Sequence, residues 1–429
     1  MHKQLFGFDS AKPTVRTEIV AGITTFLTMA YILAINPSIL AETGMDRGAL
    51  FTTTVLMSAL PTIFMGLYAK LPLALAPGMG LNAFFAYTVC TVMGYSWQIA
   101  LTAVFLEGLV FLLLTVTNLR EKIVDVIPAS LKKAISAGIG LFIVFIGLKS
   151  AGVVVADGAT LVALGDVTSG SALLAFIGLV ITGFMYSRNV PGAMLLGIII
   201  TMGIGIPLGV TEFKGIVSAP ESIAPIFCQF EFDKIFSVDM LVVVFTFFFI
   251  DMFDTVGTLV GVCTKAKMMD ENGNIYRVKQ AFMADSIATT LGAILGTSTT
   301  TTYVESAAGV AQGGRSGLTA LVVGGCFVIA MFFSPLFLSI PSAATAPALI
   351  IVGLLMAEQI KNVDFDDFSE SIPAFVCMLM MPLTYSISNG ILIGMITYVL
   401  MNIICGKFKK LSPAMYILAV LFILKYILI

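Results

Sequence analysis

The sequence predicts an all-α polytopic membrane protein of about 14 spanning helices, arranged as two inverted repeats of seven whose third and tenth spans are interrupted. Three observations predict it. Of 429 residues, 58% are hydrophobic and only 11% charged, with a mean hydropathy of +1.03, outside the range of soluble domains of this size. The apolar runs divide evenly about one polar connection. Short peptides recur in the same order on either side of it.

Taken in order, the first run is Ile19 to Leu40, preceded by His2, Lys3, Lys12 and Arg16. Those basic residues place the N-terminus in the cytoplasm, and without a short apolar region and cleavage site no signal peptide is expected. Runs follow at 51–68, 72–93, 98–117, 133–150, 171–187 and 192–209, closing a first repeat over 1–210. Residues 211–238 carry Pro220, Pro225 and mixed charges (Glu212, Lys214, Glu231, Asp233, Lys234) and form the connection. The second repeat, 239–410, holds runs at 239–263, 280–296, 297–312, 317–338, 344–358, 371–388 and 389–406. The apolar tail 411–429 is either a fifteenth span or a helix on the membrane surface.

Seven spans followed by seven more are inverted relative to each other. Leu101-Thr102-Ala103 recurs as Leu318-Thr319-Ala320, Ile127-Pro128 as Ile340-Pro341, and Ala175-Phe176 and Tyr186-Ser187 as Ala374-Phe375 and Tyr385-Ser386. Basic clusters (Arg120, Lys122, Lys132 and Lys133; Lys265, Lys267, Arg277 and Lys279; Lys407, Lys409 and Lys410) fall on the N-terminal side. The acidic loop Asp364, Asp366, Asp367 and Glu370 shares that side, but acidic residues weigh little in the rule. The localisation read from this pattern is a multi-pass protein of the plasma (cytoplasmic) membrane.

Composition also excludes. A formal net charge of -2 with no basic patch argues against nucleic acid. The six cysteines are scattered and read as small hydrophobes, and His2 is the only histidine, so neither a metal site nor a cofactor is expected. No nucleophile–base spacing supports an enzyme. Lipid and a small solute remain as partners, and a homodimer is compatible with the sequence. Lys149 and Arg188, near run ends, are expected to snorkel.

Chemistry concentrates in three places. Gly296 to Gly309 reads Gly-Thr-Ser-Thr-Thr-Thr-Thr-Tyr-Val-Glu-Ser-Ala-Ala-Gly between two apolar runs, which puts its hydroxyls and Glu305 at membrane depth. Such a segment persists there only if it is buried in protein or lines a cavity. The competing reading is a loop at a helix end whose Glu305 reaches water. Residues Thr299 to Val304 suit a short extended segment, and a half-helix starts near Glu305. In the third run Pro77, Gly78 and Gly80 break the helix, with a half-helix from Gly80 presenting N–H groups, the Asn82 amide and the rings of Phe84 and Phe85. Asn82 is otherwise a packing amide. The eighth run, Val242 to Val262, places Asp251, Asp254 and Thr258 on one helical face. Two ionised carboxylates in hydrocarbon cost several kcal/mol each, so that face must meet protein, water or substrate, with one acid protonated for part of the time. Glu107 and Asp285 are supporting candidates.

At these residues the chain resembles a known family. Segments 76–87, 251–259, 296–310 and 313–320 are similar to the signatures of the azaguanine-type (AzgA-like) purine permeases, the hypoxanthine/guanine/adenine branch of the nucleobase/ascorbate transporter superfamily. The resemblance covers nearly the whole chain. It implies a core domain (runs 1–4 and 8–11), a gate domain (runs 5–7 and 12–14), short strands of runs 3 and 10 paired near the midplane, and proton-coupled uptake of a purine nucleobase. It assigns substrate-binding roles to Asn82, Ala83, Phe84, Asp254, Thr258, Glu305 and Ser306, and proton coupling to Asp254, Glu305 and Asp251. The related uracil permeases carry a histidine at the place of Thr258, so here Asp251 is the substitute. Hypoxanthine and guanine offer N1–H to a carboxylate, which favours them over adenine, the alternative. A passive nucleobase channel is the less favoured reading.

Overall fold

The computed structural model describes residues 14–117, 128–233, 237–268 and 275–428. His2, Lys3, Lys12, Arg120, Lys122, Ile127 and Lys234 lie outside them, as does the side chain of Lys425. Helix follows almost every apolar run: α1 (Val15–Met29), α2 (Ile32–Ala41), α3 (Arg47–Phe64), the strand β1 (Leu75–Pro77), α4 (Met79–Ala83), α5 (Trp97–Val116) and α6 (Ala129–Ser150). After a hairpin of β2 (Val154–Asp157) and β3 (Leu161–Leu164) come α7 (Gly170–Ser187), α8 (Ala193–Gly205), α9 (Val238–Lys265), α10 (Val278–Leu295) and the strand β4 (Thr300–Thr302). The chain ends through α11 (Ser306–Ala311), α12 (Gly317–Ala330), α13 (Ser334–Leu338), α14 (Ser342–Ala357), α15 (Phe368–Leu383), α16 (Ile387–Ile404) and α17 (Pro413–Leu428). The helix starts are written locally. Asp46, Ser96, Ser169, Ser237 and Ser386 each accept a bond from the backbone N–H three residues on.

Among the described residues nine helical stretches are long and apolar enough to cross a bilayer, and Met79–Val92, Ala193–Gly205 and Phe368–Leu383 are shorter apolar helices. The chain is therefore a helical polytopic membrane protein. Two of the expected runs are in neither group. Helix α10 carries the buried polar residues Asp285, Ser286 and Thr289, and the tenth run is mostly strand and short helix. Both are tolerable because protein, not lipid, surrounds them.

The first run departs from expectation. It is not one helix but two, α1 and α2, separated by a turn at Ala30 and Tyr31. Neither Pro nor Gly sits at the turn itself, but Pro37 inside α2 has no N–H to donate to the Leu33 carbonyl just beyond it. The third run is broken as its Pro-Gly pair requires, and beyond α4 it continues as a π-helix over Phe84–Val92, a form that recurs at functional sites.

Helices α2, α3, α9 and α10 pack against the strand pair, and α1, α5, α11 and α12 pack against one another and against those helices, while α6 packs against α14, α15 and α16, and α14 packs against α7 and α8. The α6–α14 contact is bare backbone. A Cβ on Gly140 would stand 2.4 Å from the carbonyl of Gly353, and one on Gly353 would stand 2.5 Å from that of Gly140. Helix α17 packs along α16, and its Phe422 ring meets Phe245 of α9 at 5.8 Å. Phe245 lies two turns inside α9.

Candidate functional site

The centre of the molecule is where the two interrupted runs meet. Strands β1 and β4 pair antiparallel, with Leu75 opposite Thr302, Ala76 opposite Thr301 and Pro77 opposite Thr300. The ladder extends by Gly78 N–H donating to the Thr299 carbonyl at 3.0 Å and Tyr303 N–H to that of Ala74 at 2.9 Å. Extended backbone at membrane depth thereby satisfies its own polar groups. Side chains tie the same two segments. The Tyr303 hydroxyl donates to the Pro77 carbonyl at 2.5 Å, and Ala74 N–H donates to Ser306 Oγ at 3.0 Å.

These contacts fix what several of the sequence candidates do. Ser306 is buried and holds β1. Asn82 is buried too, with its side-chain carbonyl accepting from the Ser298 hydroxyl, so it spans the two breaks with its oxygen; its amide nitrogen has no hydrogen-bond partner. Ala83 is buried, and the ring of Phe84 meets Phe247 of α9 edge-on at 4.7 Å.

Asp254 and Glu305 differ from that buried set. Both are only half-buried, and they lie within electrostatic range of each other where α9 packs against α11. Val304 beside Glu305 is 58% exposed, and Gly257, one turn beyond Asp254, is exposed as well, so the two carboxyls border open space. Thr258 is nearly buried on the same helix. Glu305 takes a hydrogen bond from the hydroxyl of Tyr31, and Tyr186 of α7 lies within electrostatic range of it. The first turn of α11 begins at Ser306, so the carboxylate sits at the positive end of a short helix.

Asp251 points elsewhere. It is fully buried, one of its oxygens 3.3 Å from the Thr255 hydroxyl and the other 3.5 Å from that of Thr289 on α10. The Thr255 hydroxyl also lies 2.9 Å from Asp285 Oδ1 and 2.7 Å from the Thr301 hydroxyl. Glu107 accepts from Thr299 at 2.6 Å. Asp251, Asp285 and Glu107 are thus anchored to the threonines that surround β4, and Asp285 is within electrostatic range of Asp254. A spacing of three residues, just under one helical turn, puts Asp251 and Asp254 on one broad side, but of the two only Asp251 lies against the Thr289 hydroxyl of α10.

Tyr31 is the residue the sequence reading passed over. It sits in an apolar run with no charged neighbour, and its only signal was the phenol itself, which needs a partner when buried. Lys149 is also held more firmly than a snorkelling residue: its Nζ donates to the Tyr385 hydroxyl at 2.9 Å and stands over the rings of Tyr385 and Tyr87. Among the described residues no group of three His, Cys, Asp or Glu side chains is placed to hold a metal ion.

Comparison with known proteins agrees in scale with this architecture. The transmembrane domain of the cyanobacterium bicarbonate transporter BicA superposes with a TM-score of 0.68 at 16% identity, covering 91% of this chain and 100% of that one, a likeness of fold. The adenine permease AdeP of Escherichia coli (strain K12) is 46% identical over 429 residues, 100% of this chain and 96% of its own. The guanine/hypoxanthine permease PbuG of Bacillus subtilis (strain 168) is 47% identical over 437 residues, 99% of each. The Xan_ur_permease profile, described as a permease family, matches residues 16–393. A chain matched over that length, with relatives named for purine nucleobases aligned along nearly all of it, belongs to the Xan_ur_permease family of nucleobase permeases and is a transporter, not an enzyme.

Proposed function

We propose that the protein imports purine nucleobases, hypoxanthine and guanine foremost, by symport with protons across the cytoplasmic membrane. The observation that carries the proposal is the pair Asp254 and Glu305, two half-buried carboxyls beside a strand-paired break, bordering open space. A neutral oxopurine presents N–H donors, and a carboxylate at a helix start is a matching acceptor. A proton carried between the two acids offsets the cost of two charges at membrane depth, which links solute binding to proton binding. Asp251 stands behind them, joined through Thr255 to Asp285, as the further proton-binding group.

The antiparallel relation of β1 and β4 supports two inverted repeats, 1–210 and 239–410. The packing supports a core of runs 1–4 and 8–11 that carries the carboxyl pair and a gate of runs 5–7 and 12–14, and the distribution of basic residues favours an N-terminus in the cytoplasm. In this scheme Asn82, Ala83, Phe84 and Ser306 shape the site from behind, and Thr258 flanks Asp254. Relatives with the names of adenine permeases favour adenine as the second reading.

Uptake of labelled hypoxanthine by cells lacking their own carriers tests the proposal. Saturable uptake that collapses with an uncoupler is expected. Glu305→Gln and Asp254→Asn are each expected to reduce it at least a hundredfold; normal uptake in both variants sinks the reading. Uptake that ignores the uncoupler favours a passive route, and competition by unlabelled adenine, guanine, hypoxanthine, xanthine and uracil ranks the substrates.

A further inference from the structure

The proposed function leaves open how a site with carboxylate acceptors chooses among purines that differ only in their donors. Hypoxanthine offers a single ring N–H on its pyrimidine edge. Guanine offers that N–H and an adjacent exocyclic amine, a parallel pair of donors that an unobstructed carboxylate receives on both oxygens. How strongly each oxygen of Glu305 accepts therefore sets the preference.

The structure answers through Tyr31. This residue stands in the turn between α1 and α2, 1% exposed, and its hydroxyl donates to Oε1 of Glu305 across 274 positions of sequence. The phenol is rigid and enclosed, so it cannot swing aside without unpacking the turn that carries it. Its hydroxyl donates to Oε1, and Oε2 is the oxygen it does not hold. We infer that Tyr31 is a specificity-determining residue: by donating to one oxygen of Glu305 it makes that oxygen the weaker acceptor and reduces the advantage that guanine's paired donors would otherwise have over hypoxanthine. The inference rests on the reading of Glu305 as the purine acceptor.

Further features agree with that role. Tyr31 also lies within electrostatic range of Asp254 and Tyr303, so the turn in the first run, the break in the tenth and the eighth helix converge on the same carboxyl. No proline or glycine sits at the turn itself, and the hydroxyl bond to Glu305 gives a reason for Tyr31 to be held there.

The experiment is a competition assay in cells expressing the full chain, with unlabelled guanine and hypoxanthine against labelled hypoxanthine. In the unaltered protein the two inhibition constants are expected to lie within about threefold of each other; a guanine advantage of tenfold or more overturns the inference. Tyr31→Phe keeps the ring and removes the hydroxyl, freeing Oε1. It is expected to shift the guanine-to-hypoxanthine ratio by about tenfold toward guanine, the worth of one charge-assisted hydrogen bond. A purely structural role for Tyr31 weakens both purines equally and leaves the ratio unmoved, and that result also overturns it. If Tyr31→Phe does not reach the membrane, the ratio in the unaltered protein decides. Failure of the underlying reading looks different: hypoxanthine uptake then survives Glu305→Gln, whatever the ratio.

Discussion

At the scale of single residues, the centre is organised by polar side chains that answer one another instead of water. Tyr303 shows how much rests on one hydroxyl: it bonds the Pro77 carbonyl from the opposite break. Tyr303→Phe removes the donor and leaves that carbonyl buried, at a cost of about 1–3 kcal/mol. Thermal unfolding of the detergent-solubilised protein is expected to show a lowered midpoint, and an unchanged midpoint would mean the bond contributes nothing. Some of this was legible from the sequence. Glu305 and Asp254 stood out because a carboxylate inside an apolar run is expensive and needs a reason. Asn82 stood out too, but which way its amide faces depends on the β1–β4 register, which no local pattern encodes. Tyr31 was illegible for a related reason, since its partner lies at Glu305, far along the chain, and its surroundings are uniformly apolar.

At the scale of elements, the chain announces its helices and conceals its interruptions unevenly. Ser and Asp caps, Pro-Gly pairs and the 20-residue rhythm of a bilayer locate the runs, with ends displaced by up to about one helical turn. The break in the third run follows from Pro77 and Gly78, whereas the turn in the first falls at Ala30 and Tyr31, which carry no such signal. Loops at the membrane surface carry charge chemistry that can be tested by pH. The Asp367 carboxylate caps α15, and the ammonium of Lys407, 2.7 Å from both its oxygens, holds it well below the ordinary aspartate value of 3.8, with help from Ser369. A lowered value means that the stabilisation is complete above 3.8 and is lost as the pH falls through the folded-state value. Asp367→Asn is therefore expected to lower the unfolding temperature at neutral pH, with the difference from the unaltered protein shrinking only below about 3.8. A difference that already disappears near pH 6 contradicts this assignment.

At the scale of the whole molecule, two groups of helices meet at an aromatic cluster remote from the carboxyl pair. Tyr87 donates to Glu42 at the end of α2, Lys149 at the end of α6 donates to Tyr385 in the turn between α15 and α16, and the rings of Tyr87 and Tyr385 meet at 5.7 Å. If the proposed alternation moves one group past the other, this cluster must part in every cycle. Tyr87→Cys combined with Tyr385→Cys, its two thiols joined by a short bifunctional thiol reagent, is expected to lose uptake, while neither single variant responds. Uptake that persists in the double variant whose cross-link is confirmed by mass spectrometry shows that the cluster does not open.

The β1–β4 ladder has a consequence of an evolutionary kind. Because each strand engages the backbone of the other, the main chain at the break is committed to holding the scaffold together. Discrimination among solutes then falls to side chains around that frame, which can be exchanged one at a time without unmaking it. A fold arranged in this way can drift from one solute to another in single substitutions, its frame unchanged while its clientele turns over.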